Sequence, residues 1–318
     1  MIRSESELEP FESIIRNPIF RSEKNALSFQ ARFHYYNTYS LYYRVKNDHG
    51  NLFLWRKNLL EQIEQFPHLC ESGAETYFVA VNNLVFACIN IGKYKEALEY
   101  LKKMESIKAP TEDLKILIFS SKRNLELAAL FHMGEFEQGI KKLEKNPAPE
   151  LENKMANNQK MPYFYYNALL YFAVENYKRS LFWLNKILDD KESGFRQDIH
   201  NFARILNLIV HFELDHKEQL EYYVKSTYKY FSSRSRLFQS EAILLQFIKE
   251  AARAKDKGEV YQLFVKLKKD ILNLNEDKYE RKILDYMDFI TWLDSKIEKK
   301  SFAEIKRNKK INLQEQNN

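Results

Sequence analysis

Seven histidines, two cysteines and one pair of glycines with four residues between them are the side chains from which a reaction centre would have to be assembled. The glycine pair lies in Gly134–Lys141, GEFEQGIK. A phosphate-binding loop needs its lysine directly after the second glycine, followed by Ser or Thr to reach the metal. Here Lys141 falls one place late and neither hydroxyl follows, so no nucleotide is expected. His211 and His216 are five residues apart, which sets them about 140° apart around a helix with a turn intervening, and two ligands on one face are not expected. His132, His200 and His211 have no cysteine or carboxylate cluster at ligand spacing. Cys70 and Cys88 stand eighteen residues apart without a partner motif, so no disulfide framework is expected and a reducing compartment is implied. Nothing in the spacing supports a nucleophile and its base. The expectation is a chain without catalysis, cofactor or metal.

What would position any functional group is a series of helices. Val81–Met104 reads VNNLVFACINIGKYKEALEYLKKM. Val81, Leu84, Val85 and Cys88 precede Gly92, and Tyr94, Ala97, Leu101 and Met104 follow it, each set spaced to lie on one helical face. Anchor residues two places after such turns recur at Leu52, Tyr94, Phe136, Tyr177, Lys217 and Val260, at spacings of 42, 42, 41, 40 and 43. Gly50, Gly92, Gly134, Glu175, Asp215 and Gly258 mark the turns. Seven positions after the anchors come Leu59, Leu101, Leu143, Leu184, Val224 and Leu267, an apolar residue every time.

The Gly92 turn and its flanks resemble a tetratricopeptide repeat, in which two antiparallel helices meet at such a turn and the second carries a small residue. Three positions after the anchors, in that slot, come Trp55, Ala97, Gly139, Ser180, Leu220 and Leu263, of which Ala97, Gly139 and Ser180 are small. The resemblance implies an α-solenoid of antiparallel helical hairpins wound into a right-handed superhelix. The family period is about 34 residues, so each unit here is longer by roughly two helical turns, and the tryptophan and glycine of the first-helix signature are replaced. A HEAT-like array is the structural alternative.

Composition agrees with an all-α fold. Glycine and proline number seven each, and no proline follows Pro162. Net charge is +6, but +4 of it lies from Lys296 onward, and the preceding body mixes signs. A nucleic-acid groove would need a continuous basic stripe, so nucleic acid is not the expected partner. No apolar run approaches the roughly eighteen residues of a membrane span, and MIRSESELEPFES is neither a secretory signal nor a presequence. A cytoplasmic protein is expected.

Along the chain the pattern predicts an N-terminal arm over 1–22, broken by Pro10 and Pro18. Three helix pairs follow over 23–145, then an exposed loop or hinge over 146–161 and three more pairs over 162–275, opening at Pro162. A helix over 276–310 caps the last repeat, and 311–318 forms a disordered tail. Thr111 is expected to cap a helix that includes Leu114. In the family this chain resembles, the first helix of each pair lines a concave face that holds a peptide. Carrying over those slots gives Asn37, Ser40 and Arg44, then Asn82, Phe86, Asn124, Phe131, Tyr165 and Phe172 as a partner-binding groove. The expected function is a protein-interaction scaffold that binds a peptide or helix of a partner. The alternatives are a peptide-responsive regulator of a partner protein or a helical-repeat RNA binder.

Overall fold

The computed structural model describes residues 5–145, 149–189, 196–234, 238–274, 280 and 287–315. Every regular element among them is helical, with no strand. The chain forms two compact units, one of Met1–His132 with Glu150–Met155, the other of Met133–Pro149 with Ala156–Asn318.

The first unit holds α1 (Glu5–Arg16), α2 (Phe29–Val45), α3 (His49–Glu64), α4 (Pro67–Ser72), α5 (Ala74–Asn90), α6 (Tyr94–Glu105) and nearly all of α7 (Glu112–Met133). α2 packs on α3, α3 on α5, and α5 on α6. Leu59, Leu84, Val85, Cys88, Ala97 and Met104 form its interior. Thr111 accepts a hydrogen bond from the Leu114 amide, as expected of a cap.

The second unit begins with α8 (Phe136–Glu144); between it and α10 lies the short α9 (Pro149–Lys154), most of which belongs to the first unit. There follow α10 (Asn157–Ala173), α11 (Tyr177–Leu188), α12 (Gln197–Glu213), α13 (Lys217–Arg234), α14 (Gln239–Arg253), α15 (Lys257–Leu274), α16 (Phe289–Glu298) and α17 (Phe302–Glu315). From α10 to α17 each helix packs on the next. Gly139 on α8 allows a close approach to α10, because a Cβ there would lie 2.8 Å from Leu170 Cδ2.

One device ends five of these helices. Asn47, Gly92, Gly134, Glu175 and Asp215, at intervals of 40–45 residues, have φ between +56° and +77° after α2, α5, α7, α10 and α12. At four of them the following amide bonds back to a carbonyl five residues earlier: Asp48 to Tyr43, Lys93 to Cys88, Asn176 to Tyr171 and His216 to His211, at 2.9–3.0 Å. The left-handed residue lets the last carbonyls of each helix be satisfied while the chain reverses.

The structure corrects several boundaries. Gly50 does not make the first turn; it lies in the first turn of α3, which Asp48 caps by accepting from the Asn51 amide. Gly258 likewise lies inside α15, where Asp256 accepts from the Gly258 and Glu259 amides while Ala254 is extended. The N-terminal arm contains α1, which runs through Pro10 and buries Leu8. In the expected loop, 146–148 lie outside the described residues, 149–154 and 157–161 are helical, and Met155 and Met161 are buried. Pro162 is the sixth residue of α10, not its start. The expected single cap is at least two helices, parted at Lys299 with φ +56°; its part before Met287, apart from Glu280, lies outside the described residues, as do 316–318. α17 runs to Glu315, into the expected tail.

Candidate functional site

The six groove residues divide by exposure. Phe86 is 40% exposed, and Asn82 and Asn124 are half-buried. Phe131, Tyr165 and Phe172 are at most 3% exposed, so they are packing residues and line no open groove. For Phe172 the reason is visible: Phe302 of α17 lies 5.9 Å from its ring and 5.8 Å from that of Phe136 on α8. Arg307 donates to Glu137 and Lys310 pairs with Glu135, fixing α17 at the start of the second unit. The terminal segment therefore does more than cover the last repeat. It covers Phe172, which the expected groove was to present.

The same segment accounts for the concentration of positive charge. Lys296, Lys300, Lys306, Arg307, Lys309 and Lys310 all form ion pairs, with Glu213, Glu298, Asp288, Glu137, Asp294 and Glu135. Glu213 also accepts from Trp292 Nε1 at 2.7 Å. Burial raises the Tyr177 hydroxyl pKa, and the nearby Glu213 carboxylate adds to the rise.

In the first unit, predicted slots do converge. Arg56, 3% exposed, donates to Asn37 Oδ1 at 3.0 Å, and Arg44 lies over the Phe86 ring at 5.8 Å. Burial first, and Arg44 second, lower the Arg56 pKa to about 10.

An open apolar groove lies elsewhere in the second unit, between α13, α14 and α15. Its volume is about 680 Å³, within the range of ligand pockets. Val224 and Tyr228 on α13, Ala242 and Ile243 on α14, and Leu263 and Leu267 on α15 form its apolar walls. The stripes on α13 and α15 follow a three- and four-residue rhythm, so each helix shows the groove one face. The rim carries Lys225, Lys249 and Lys266 against Glu221, Glu250 and Asp270. Some rim charges pair across helices, Arg253 with Glu221 and Lys266 with Glu250. Val224, Leu263 and Leu267 occupy the recurrent slots after the turn anchors. Those slots signalled packing; nothing in the sequence marked them as lining an opening.

The two histidines also differ from expectation. The left-handed turn at Asp215 folds His216 back over the last turn of α12, and the Nδ1 atoms of His211 and His216 meet at 2.9 Å. Ideal-helix angles fail here because His216 lies beyond the helix end, where this turn brings it against the residue five before it. His211 stacks on Tyr223 with ring centroids 4.5 Å apart. Burial lowers the His211 pKa to about 4, with His216 the lesser cause. No group of three His, Cys, Asp or Glu side chains able to hold a metal occurs among the described residues.

Cys70 and Cys88 are not joined in a disulfide, and burial raises the Cys88 thiol pKa to about 12. None of the described helices is long and apolar enough to cross a membrane. The chain matches no family model, no curated protein and no solved structure.

Proposed function

We propose that this chain is a non-catalytic adaptor of tetratricopeptide-like construction, holding an amphipathic helix of a partner protein between α13, α14 and α15. The groove carries this reading: apolar walls of about 680 Å³ under a rim of mixed charge suit a helix presenting apolar anchors at i, i+3, i+4 and i+7. Successive helix packing and left-handed turns every 40–45 residues support antiparallel hairpins stacked in series within each unit, wound as in a solenoid. Two cysteines not joined in a disulfide are compatible with a reducing cytoplasm.

A photoreactive phenylalanine analogue at position 228, in place of the exposed Tyr228, tests the reading in living cells. Adducts mapping to an amphipathic helix of another protein support it; illumination that yields no intermolecular adduct contradicts it.

Peptide-responsive regulation is the second reading. It is favoured by α17 seated on Phe136 and Phe172, where a partner segment could compete with it. RNA binding is disfavoured, because the bases of α16 and α17 pair with carboxylates of the same unit.

A further inference from the structure

A second cavity, of about 410 Å³, lies between α11, α12 and α13, and its walls mix polar side chains with Leu181 and Leu188. Arg204, Asn207 and His211 stand at i, i+3 and i+7 on α12, a polar stripe on a helix whose other faces bury Ile199, Phe202, Leu206 and Val210. His216, Gln219 and Thr227 face them from the start and body of α13.

Three observations fix the chemistry such a cavity would accept. Among the described residues its lining includes an arginine and two histidines but no Asp or Glu. Arg204 Nε is buried without a hydrogen-bond partner, and its guanidinium carbon lies 3.9 Å above the Tyr230 ring. Among the described residues no carboxylate pairs with this guanidinium. Arg204 is half-buried, and an incoming oxyanion would satisfy the donor that the protein leaves without a partner. Finally, the His211–His216 contact leaves one donor over. Whichever neutral ring donates through Nδ1, the accepting ring must carry its proton on Nε2, so the pair always retains one N–H for a ligand or solvent.

We propose that this cavity binds a small molecule bearing an oxyanion, a carboxylate or a phosphate, with Arg204 as counter-ion and the imidazole pair, Asn207 and Gln219 as hydrogen-bonding groups. Among the described residues the lining offers no carboxylate to a cationic ligand. The site is separate from the α13–α15 groove and stands whether or not that groove takes a partner helix.

The test uses the full-length protein melted in about 20 mM sodium phosphate, in sodium succinate at the same concentration, and in sodium chloride of matched ionic strength. The expected result is a rise in Tm of about 3 °C over chloride with at least one of the two anions, the more effective one identifying the ligand class. Arg204→Met retains an apolar stem over Tyr230 and should lose that rise. If Arg204→Met does not fold, Gln219→Ala on the exposed wall takes its place, and calorimetry with the effective anion should show Kd weakened about threefold or more. No rise with either anion, or a folded variant responding like the parent, overturns the proposal.

Discussion

Glu175 holds φ +59° at the end of α10, a conformation in which its Cβ crowds the backbone, whereas Gly92 and Gly134 take the equivalent place after α5 and α7 without that cost. Glu175→Gly should therefore stabilise the second unit by up to about 1 kcal/mol, part of the gain being lost to the freer unfolded chain. Urea denaturation followed through α-helical signal measures it, and a lower midpoint at unchanged slope would contradict the assignment of strain. His211 supports a prediction of opposite kind. Its folded pKa, about 4, lies below the ordinary 6.5, so below pH 6.5 the unfolded ring takes up a proton that the folded ring refuses. Its contribution is constant above pH 6.5 and declines as pH falls toward 4, by at most about 3 kcal/mol. Denaturation at pH 7.5, 6 and 5 should show this decline in the parent and a shallower one in His211→Gln; equal slopes would refute it. The sequence told which positions bend the chain more reliably than which residues adopt the unusual backbone. Gly50 and Gly258 sit inside helices because Asp48 and Asp256 cap them, and the side chain that caps outranks the glycine two places later.

α17 shows how far an amphipathic pattern carries an argument about an element. Apolar spacing shows that a helix has a face to bury, but the neighbour that covers the face is set by the path of the chain. The expected cap over the last repeat thus became a pair of helices, one packed on α15, the other also reaching α8 and α10. Phe302→Ala should cost about 3–5 kcal/mol, since a ring 2% exposed leaves a cavity between Phe136 and Phe172. Arg307→Ala removes a solvated ion pair with Glu137 and should cost under about 1 kcal/mol. Hydrogen exchange of the two variants separates these contributions: Phe302→Ala should raise exchange in α8 and α10 together, while Arg307→Ala should leave them protected. The reverse order would mean that charge, not apolar contact, holds the helix.

In the molecule as a whole, the all-helical fold and its forty-residue rhythm were legible because both arise from local rules, three- and four-residue apolar spacing and turn residues at helix ends. The site was less legible. Asn82, Phe86 and Asn124 keep some exposure, but Phe131, Tyr165 and Phe172 are interior; for Phe172, the slot carried over from a shorter repeat takes no account of a terminal segment packing on it. The α13–α15 groove has no sequence signature, because Val224, Leu263 and Leu267 look the same whether a neighbouring helix or open space lies before them. Selection of helical peptides from a display library on the full-length protein tests the adaptor account most directly. It predicts peptides with apolar residues at i, i+3 or i+4, and i+7, whose affinity falls at least about tenfold with Ile243→Glu or Leu263→Glu. Selected peptides without that spacing, or binding unchanged by both substitutions, would contradict it.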